Sequence, residues 1–144
     1  MKRLALIGVL ALGFSASAEK PAPPTFLTLT PAEAKFGDGP ETSVKVAHIY
    51  GDPEKKGMFI QWMKMPPGAR TPPHWHTSDE VFTVLSGSIG LGIGDTFAES
   101  AGKEIKAGGF AVIPAKVHHF GWSKDGAIIQ VQGMGPFQMN WLTP

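Results

Sequence analysis

His74 and His76 stand two residues apart, and on an extended backbone residues i and i+2 leave the same face of a strand. Glu80 lies at an even offset from both and joins that face if the turn between them keeps the phase. Two imidazoles and a carboxylate converging from one strand pair suit a first-row transition metal rather than Ca²⁺ or Mg²⁺, which prefer oxygen donors. A fourth donor has to come from elsewhere, and His118-His119 is the other histidine-rich spot. The chain has no cysteine, so thiolate sites, disulfides and cysteine nucleophiles are excluded together.

The elements that position these groups are short and extended. Eighteen Gly and 13 Pro in 144 residues favour turns over long helices. Strand signals of β-branched or alternating residues run over Val44–Tyr50, Met58–Met65, Val81–Leu85, Phe110–Ile113, Ile128–Gln132 and Phe137–Leu142. Val81–Leu85 leads into a turn at Ser86-Gly87, after which Ile89, Leu91 and Ile93 alternate with Gly90, Gly92 and Gly94. One face of that strand is bare backbone, open to another strand, a ligand or a second subunit. Lys103, Glu104 and Lys106 read as a solvated hairpin, and His48 as a plain strand histidine. Thr30-Pro31-Ala32-Glu33 carries capping signals for one short helix ending near Gly37. Many short strands and one helix predict an all-β antiparallel barrel or sandwich.

The N-terminus reads as an address. Lys2 and Arg3 precede the apolar run Leu4–Phe14, and Ser15-Ala16-Ser17-Ala18 supplies small residues for cleavage. Eleven apolar residues are too few for a span of ~20, so residues 1–18 are expected to be a signal peptide cut after Ala18. The mature protein is then periplasmic or secreted, without a membrane segment. Residues 19–43 form an extended leader with the short helix, and residues 44–144 the barrel. A formal charge of +1 offers nothing to a phosphate backbone, so no nucleic-acid partner is expected.

Gly68, five residues, His74-x-His76, three residues, Glu80, six residues and Gly87 reproduce the first motif of the cupins without deviation. Gly108, Pro114 and His119 fit the second motif, in which Lys116 replaces a Gly and Ser123 an Asn. The chain thus resembles a single-domain cupin over roughly Lys45 to Leu142. The resemblance implies a double-stranded β-helix jelly-roll barrel with one divalent ion (Fe, Mn, Cu, Ni or Zn) in its mouth, held by His74, His76, Glu80 and His119. A one-residue shift in the turn around Lys116 would present His118 instead. Cupins commonly pair as homodimers, here through the Gly-alternating strand or the termini.

Four protein ligands on an octahedral ion leave two positions open, which points to catalysis rather than structural clamping. The resemblance implies the activity of a metal-dependent oxidoreductase, a dioxygenase or oxidase, or a decarboxylase. Its substrate would be a chelating anionic or polyphenolic small molecule, with Glu80 able to serve as a base. Tyr50, Gln61, Arg70 and Gln130 are the candidate pocket contacts. A binding module that captures a small anion or sugar without turnover is the alternative.

Overall fold

The computed structural model describes residues 26–40 and 43–142. The expected signal peptide and its cleavage site lie outside these. The strands are β1 (Gly37–Asp38), β2 (Lys45–Tyr50), β3 (Gly57–Met65), β4 (Ala69–His76), β5 (Glu80–Ile93), β6 (Lys103–Lys106), β7 (Phe110–Ile113), β8 (His119–Ser123), β9 (Ala127–Gly135) and β10 (Met139–Trp141). Among the described residues the helical element is a single 3₁₀ turn, Glu99–Ala101. Among the described residues no helix is long and apolar enough to cross a membrane.

Every strand pair is antiparallel, and the strands form two facing layers. Sheet I runs β1-β2-β3-β9-β5-β7 and sheet II runs β10-β4-β8-β5-β6. The 14-residue strand β5 belongs to both. Its first half pairs with β7 and β9, its second with β6 and β8. The expected turn at Ser86-Gly87 is instead a bulge within this one strand. The register slips between Val84 and Ser86, and Gly87 adopts φ +71°. A bulge with a left-handed glycine bends a strand without ending its pairing, which carries β5 from one layer into the other.

Side chains alternate as a half-buried strand requires. Val46, Phe59, Met65, Phe82, Val84, Ile113, Ile129 and Val131 point inward from sheet I and meet Ala69 and Ile89 from sheet II. The jelly-roll expectation is met. The bare face of the glycine-alternating segment is filled from within its own sheet, since a methyl group on Gly90 would overlap the Trp122 ring and one on Gly92 the Phe120 ring. Register explains it: Gly90 pairs with Trp122 and Gly92 with Phe120 across β5 and β8. Phe97 packs against both aromatics. That face is therefore closed to a second subunit.

One further expectation is corrected, and the set of strands is extended. The capping signals at Thr30 do form, with Glu33 Oε2 accepting from the Thr30 N–H at 2.8 Å and from its hydroxyl at 2.6 Å. Only one turn results, because residues 31–36 bury no face and tertiary packing is what extends a short helix. Lys103–Lys106 is a true strand at the rim of sheet II, and its exposed charges suit an unpaired edge. Residues 69–76 and 119–123 are strands as well. Pro72-Pro73 hides the first, and the ladder between β4 and β8 slips between Thr71 and His74 to accommodate them.

Candidate metal centre

The site forms where the two layers meet at one end of the barrel. Sheet II contributes His74 and His76 from the end of β4 and His119 from the start of β8, where His74 and His119 are directly opposed. Sheet I contributes Glu80, the first residue of β5, paired with Gly133 and Ile113. All four residues are buried, and their ligand atoms lie within 4.8 Å of one another.

Each imidazole is fixed by a backbone carbonyl. His74 Nδ1 donates to Pro72 O at 2.8 Å, His119 Nδ1 to Val117 O at 2.9 Å, and His76 Nδ1 to Gln138 O at 3.1 Å. With the proton held on Nδ1, every Nε2 lone pair faces the centre, which is the outer-sphere arrangement that orients metal-binding histidines. Glu80 Oε2 stands 3.3 Å from His76 Nε2 and 3.2 Å from His119 Nε2. His76 Nε2 and Glu80 Oε2 are both buried without a hydrogen-bond partner. Four acceptors facing one another with no donor between them are costly in a dry interior. A divalent cation is the group that such a set lacks, so the residues fit one.

The electrostatics agree. Burial pushes the His74 imidazolium down from 6.5 to about 4, and the neighbouring His119 adds to this. Burial alone would raise the Glu80 carboxyl, but the imidazoles of His119 and His76 outweigh it and hold the group at about 2. A neutral His74 beside an anionic Glu80 is the protonation state that binds metal. For the metal-free protein the same shifts predict acid lability. Both groups have folded pKa values below their unfolded ones. The stability they confer is therefore complete above about pH 6.5 and is lost on acidification, first through His74 between 6.5 and 4 and then through Glu80 toward 2. Urea unfolding of chelator-treated protein should show a loss of order 3 kcal/mol from His74 alone between pH 7 and 4. A flat stability profile over that interval would contradict the assigned charges.

The loops that present the ligands are tied together. Asp79 Oδ1 accepts the Ala115 N–H at 2.8 Å, and the Lys116 N–H donates to His76 O at 2.9 Å. Lys116 takes φ +66°, the left-handed conformation for which the motif uses glycine, and the turn keeps its register despite the side chain. His119 accordingly points into the site. His118 turns outward, where its Nδ1 lies 2.7 Å from Asp95 Oδ1. The C-terminal segment closes the other side, with Phe137 stacked on His76 at 4.1 Å and Trp141 5.4 Å from the His74 ring.

A cavity of about 280 Å³ leads from the four ligand residues along the barrel interior. Its walls are mainly apolar and include Met63, Phe82, Leu91, Ile113 and Val131. Of the four expected pocket contacts only Gln61 lines it. Tyr50 is 56% exposed on the surface, because a bulge between His48 and Tyr50 pairs it with the outward-facing Ile60. Arg70 lies on the outer side of β4, bound to Glu99 at 3.0 Å and lying over the Phe97 ring. Gln130 accepts from Trp62 Nε1 at 3.0 Å and bonds Gln132, remote from the cavity. His48, read as a plain strand residue, does line the cavity. Its inward phase with Val44 and Val46 was the available signal.

Residues 61–127 match the cupin domain, and the jelly-roll architecture and the paired motifs support a small single-domain cupin. No curated protein matches the sequence. Among solved structures it is similar to the polyketide cyclase RemF from Streptomyces resistomycificus, at 18% identity and a TM-score of 0.69 over 83% of this chain and 87% of that one. It is similar to KdgF from Halomonas sp., at 18% identity and a TM-score of 0.59 over 76% and 94%. Salicylate 1,2-dioxygenase from Pseudoaminobacter salicylatoxidans, solved as adducts with gentisate, matches at 11% identity and a TM-score of 0.59 over 72% of this chain and 30% of that one. At these identities the likeness is one of fold, and it spans several chemistries.

Proposed function

We propose that this cupin is an exported metal-dependent enzyme of the oxidase or dioxygenase kind, acting on a small chelating molecule with an aromatic body. The observation that carries this reading is the convergence of three carbonyl-locked imidazoles and one carboxylate at one end of an otherwise apolar cavity. His74, His76, Glu80 and His119 would hold one divalent ion of Fe, Mn, Cu, Ni or Zn. Such an ion supplies Lewis acidity toward a chelating oxygen and, if Fe, Mn or Cu, redox chemistry with dioxygen.

The chain's own groups do the rest. The three imidazoles are preset by backbone carbonyls and need no reorganisation when a ligand arrives. Glu80 supplies the cluster's only negative charge, so a divalent centre keeps a net charge of +1 and favours an anionic chelating end. Its carboxylate would take a proton from an incoming hydroxyl only on leaving the ion, since the cluster holds its pKa at about 2 and makes it a weak base. The apolar walls exclude water and accept a planar hydrocarbon body. They offer few partners for the many hydroxyls of a sugar, which weighs against a sugar-binding module. A homodimer would have to use a surface other than the glycine face.

Catechol is the probe. Fe(II)-loaded protein should bind it, shift upward in Tm by mass action and consume O₂. Binding without O₂ consumption in the Fe, Mn and Cu forms would favour a non-catalytic binding module, and failure to bind would overturn the reading.

A further inference from the structure

The cavity has a second polar end. Among the described residues, apart from the ligand cluster and Thr71, and from Asp38 and Glu54 at the rim, His48 and Gln61 alone bring polar side chains to it. Both project inward from sheet I on one cross-strand row. His48 pairs with Gln61, Gln61 with Val131, and Val131 with Phe82, two residues beyond Glu80 on the same strand. Strands about 4.8 Å apart put Gln61 two strands, on the order of 10 Å, from the strand that carries Glu80. The interval is walled by Val131 and Phe82, which present no hydrogen-bonding groups.

Gln61 and His48 are also bonded to each other in a way that leaves functional groups free. Gln61 Nε2 donates to His48 Nδ1 at 3.3 Å, so the His48 proton resides on Nε2. His48 thus keeps one N–H to donate, while Gln61 keeps its second N–H and its carbonyl oxygen. His48 is exposed at the mouth and Gln61 is half-buried behind it. A cross-strand pair of this kind, set alone in an apolar wall, can offer a donor and an acceptor to one group entering along the cavity. Of the rim carboxylates Asp38 is paired with Lys45, while Glu54 disfavours an anion at this end, and an N–H donor set beside an amide suits a neutral group.

We propose that His48 and Gln61 form a recognition clamp for the substrate end remote from the ligand cluster. The group it selects is a neutral carbonyl, carboxamide or hydroxyl, para to one of the two vicinal chelating oxygens of a single aromatic ring. The inference rests on the reading of the ligand cluster given above and names the substrate class that the same cavity would take. His48 and Gln61 act here as specificity residues that touch the ligand's far end.

The test compares two probes, catechol and 3,4-dihydroxybenzamide, on Zn(II)-loaded full-length protein, where no turnover interferes. Kd values are measured by calorimetry for the wild type, His48→Phe and Gln61→Leu. The amide should bind at least tenfold more tightly than catechol to the wild type. Each variant should lose most of that preference while its Kd for catechol changes less than threefold. A para-carboxamide also acidifies the catechol hydroxyls, but that electronic advantage would persist unchanged in the variants. A preference of equal size in all three proteins therefore overturns the clamp, as does equal binding of the two probes by the wild type. Failure of both probes to bind overturns the clamp together with the reading of the cavity. Gln61→Met is the substitute should Gln61→Leu not fold, judged by circular dichroism, and the same loss of preference is expected of it.

Discussion

His76→Ala is expected to remove tight metal binding and every activity that depends on it, while leaving a folded barrel. The wild-type chain should bind one divalent ion and rise in Tm on loading, by about 2.7 kcal/mol of added stability at free metal 100 times Kd. In the variant that increment should vanish under the same conditions, with metal affinity lower by more than about 100-fold, since even loss of an outer-sphere partner costs 10- to 100-fold. The fold should survive for a specific reason. His76 Nε2 is a buried acceptor without a partner, so truncating it removes an uncompensated polar atom along with the Phe137 stacking contact. The two changes oppose each other in the metal-free state. Elemental analysis and thermal unfolding with and without added Zn(II) check this. A variant that still gains the wild-type increment would take His76 out of the coordination sphere.

Gly90→Ala is expected to be among the most damaging single methyl groups in the barrel. The added Cβ would overlap the Trp122 ring, which is itself buried and boxed in by Phe97 and Phe120. Either the indole or the β5–β8 ladder must therefore shift. Overpacking of this kind costs about 1–3 kcal/mol, and this site belongs at the upper end. Because β8 also carries His119, a shift of the ladder should weaken metal binding as well. Denaturant unfolding and a zinc titration of the same variant test both effects. By contrast, Gly94→Ala meets no atom within 4 Å, and its cost is set by its φ of +130° rather than by crowding. Equal stability of Gly90→Ala and the wild type would refute the packing described for this face.

The ligand cluster was legible in the sequence because it depends on short-range parity. Two histidines two apart on a strand must share a face, whatever the rest of the fold does. The choice between His118 and His119 was not legible. It hung on whether Lys116 would accept a left-handed backbone, and the turn is held there by the bonds its N–H groups donate to Asp79 and to His76, which tie distant loops together. Pocket contacts depend on phase over longer stretches, and phase is lost at bulges. The slip after His48 turned Tyr50 outward, and no residue type in Val44–Tyr50 announces it. Arg70 and Gln130 were different. Their neighbours Thr71, Ile129 and Val131 face inward, so simple alternation puts both on the outer surface, against their reading as pocket contacts. The leader helix failed because capping groups start a helix but only a buried face sustains it. The second polar end of the cavity escaped notice because His48 and Gln61 lie on separate strands, and only their register brings them together.

A crystal of the protein soaked in Zn(II) and measured at the zinc absorption edge addresses the central claim most directly. One strong anomalous peak per chain should appear about 2.0–2.1 Å from the Nε2 atoms of His74, His76 and His119 and within about 2.2 Å of a Glu80 oxygen. A principal peak on the surface, for instance at His118 and Asp95, with no density among the four buried side chains, would contradict it.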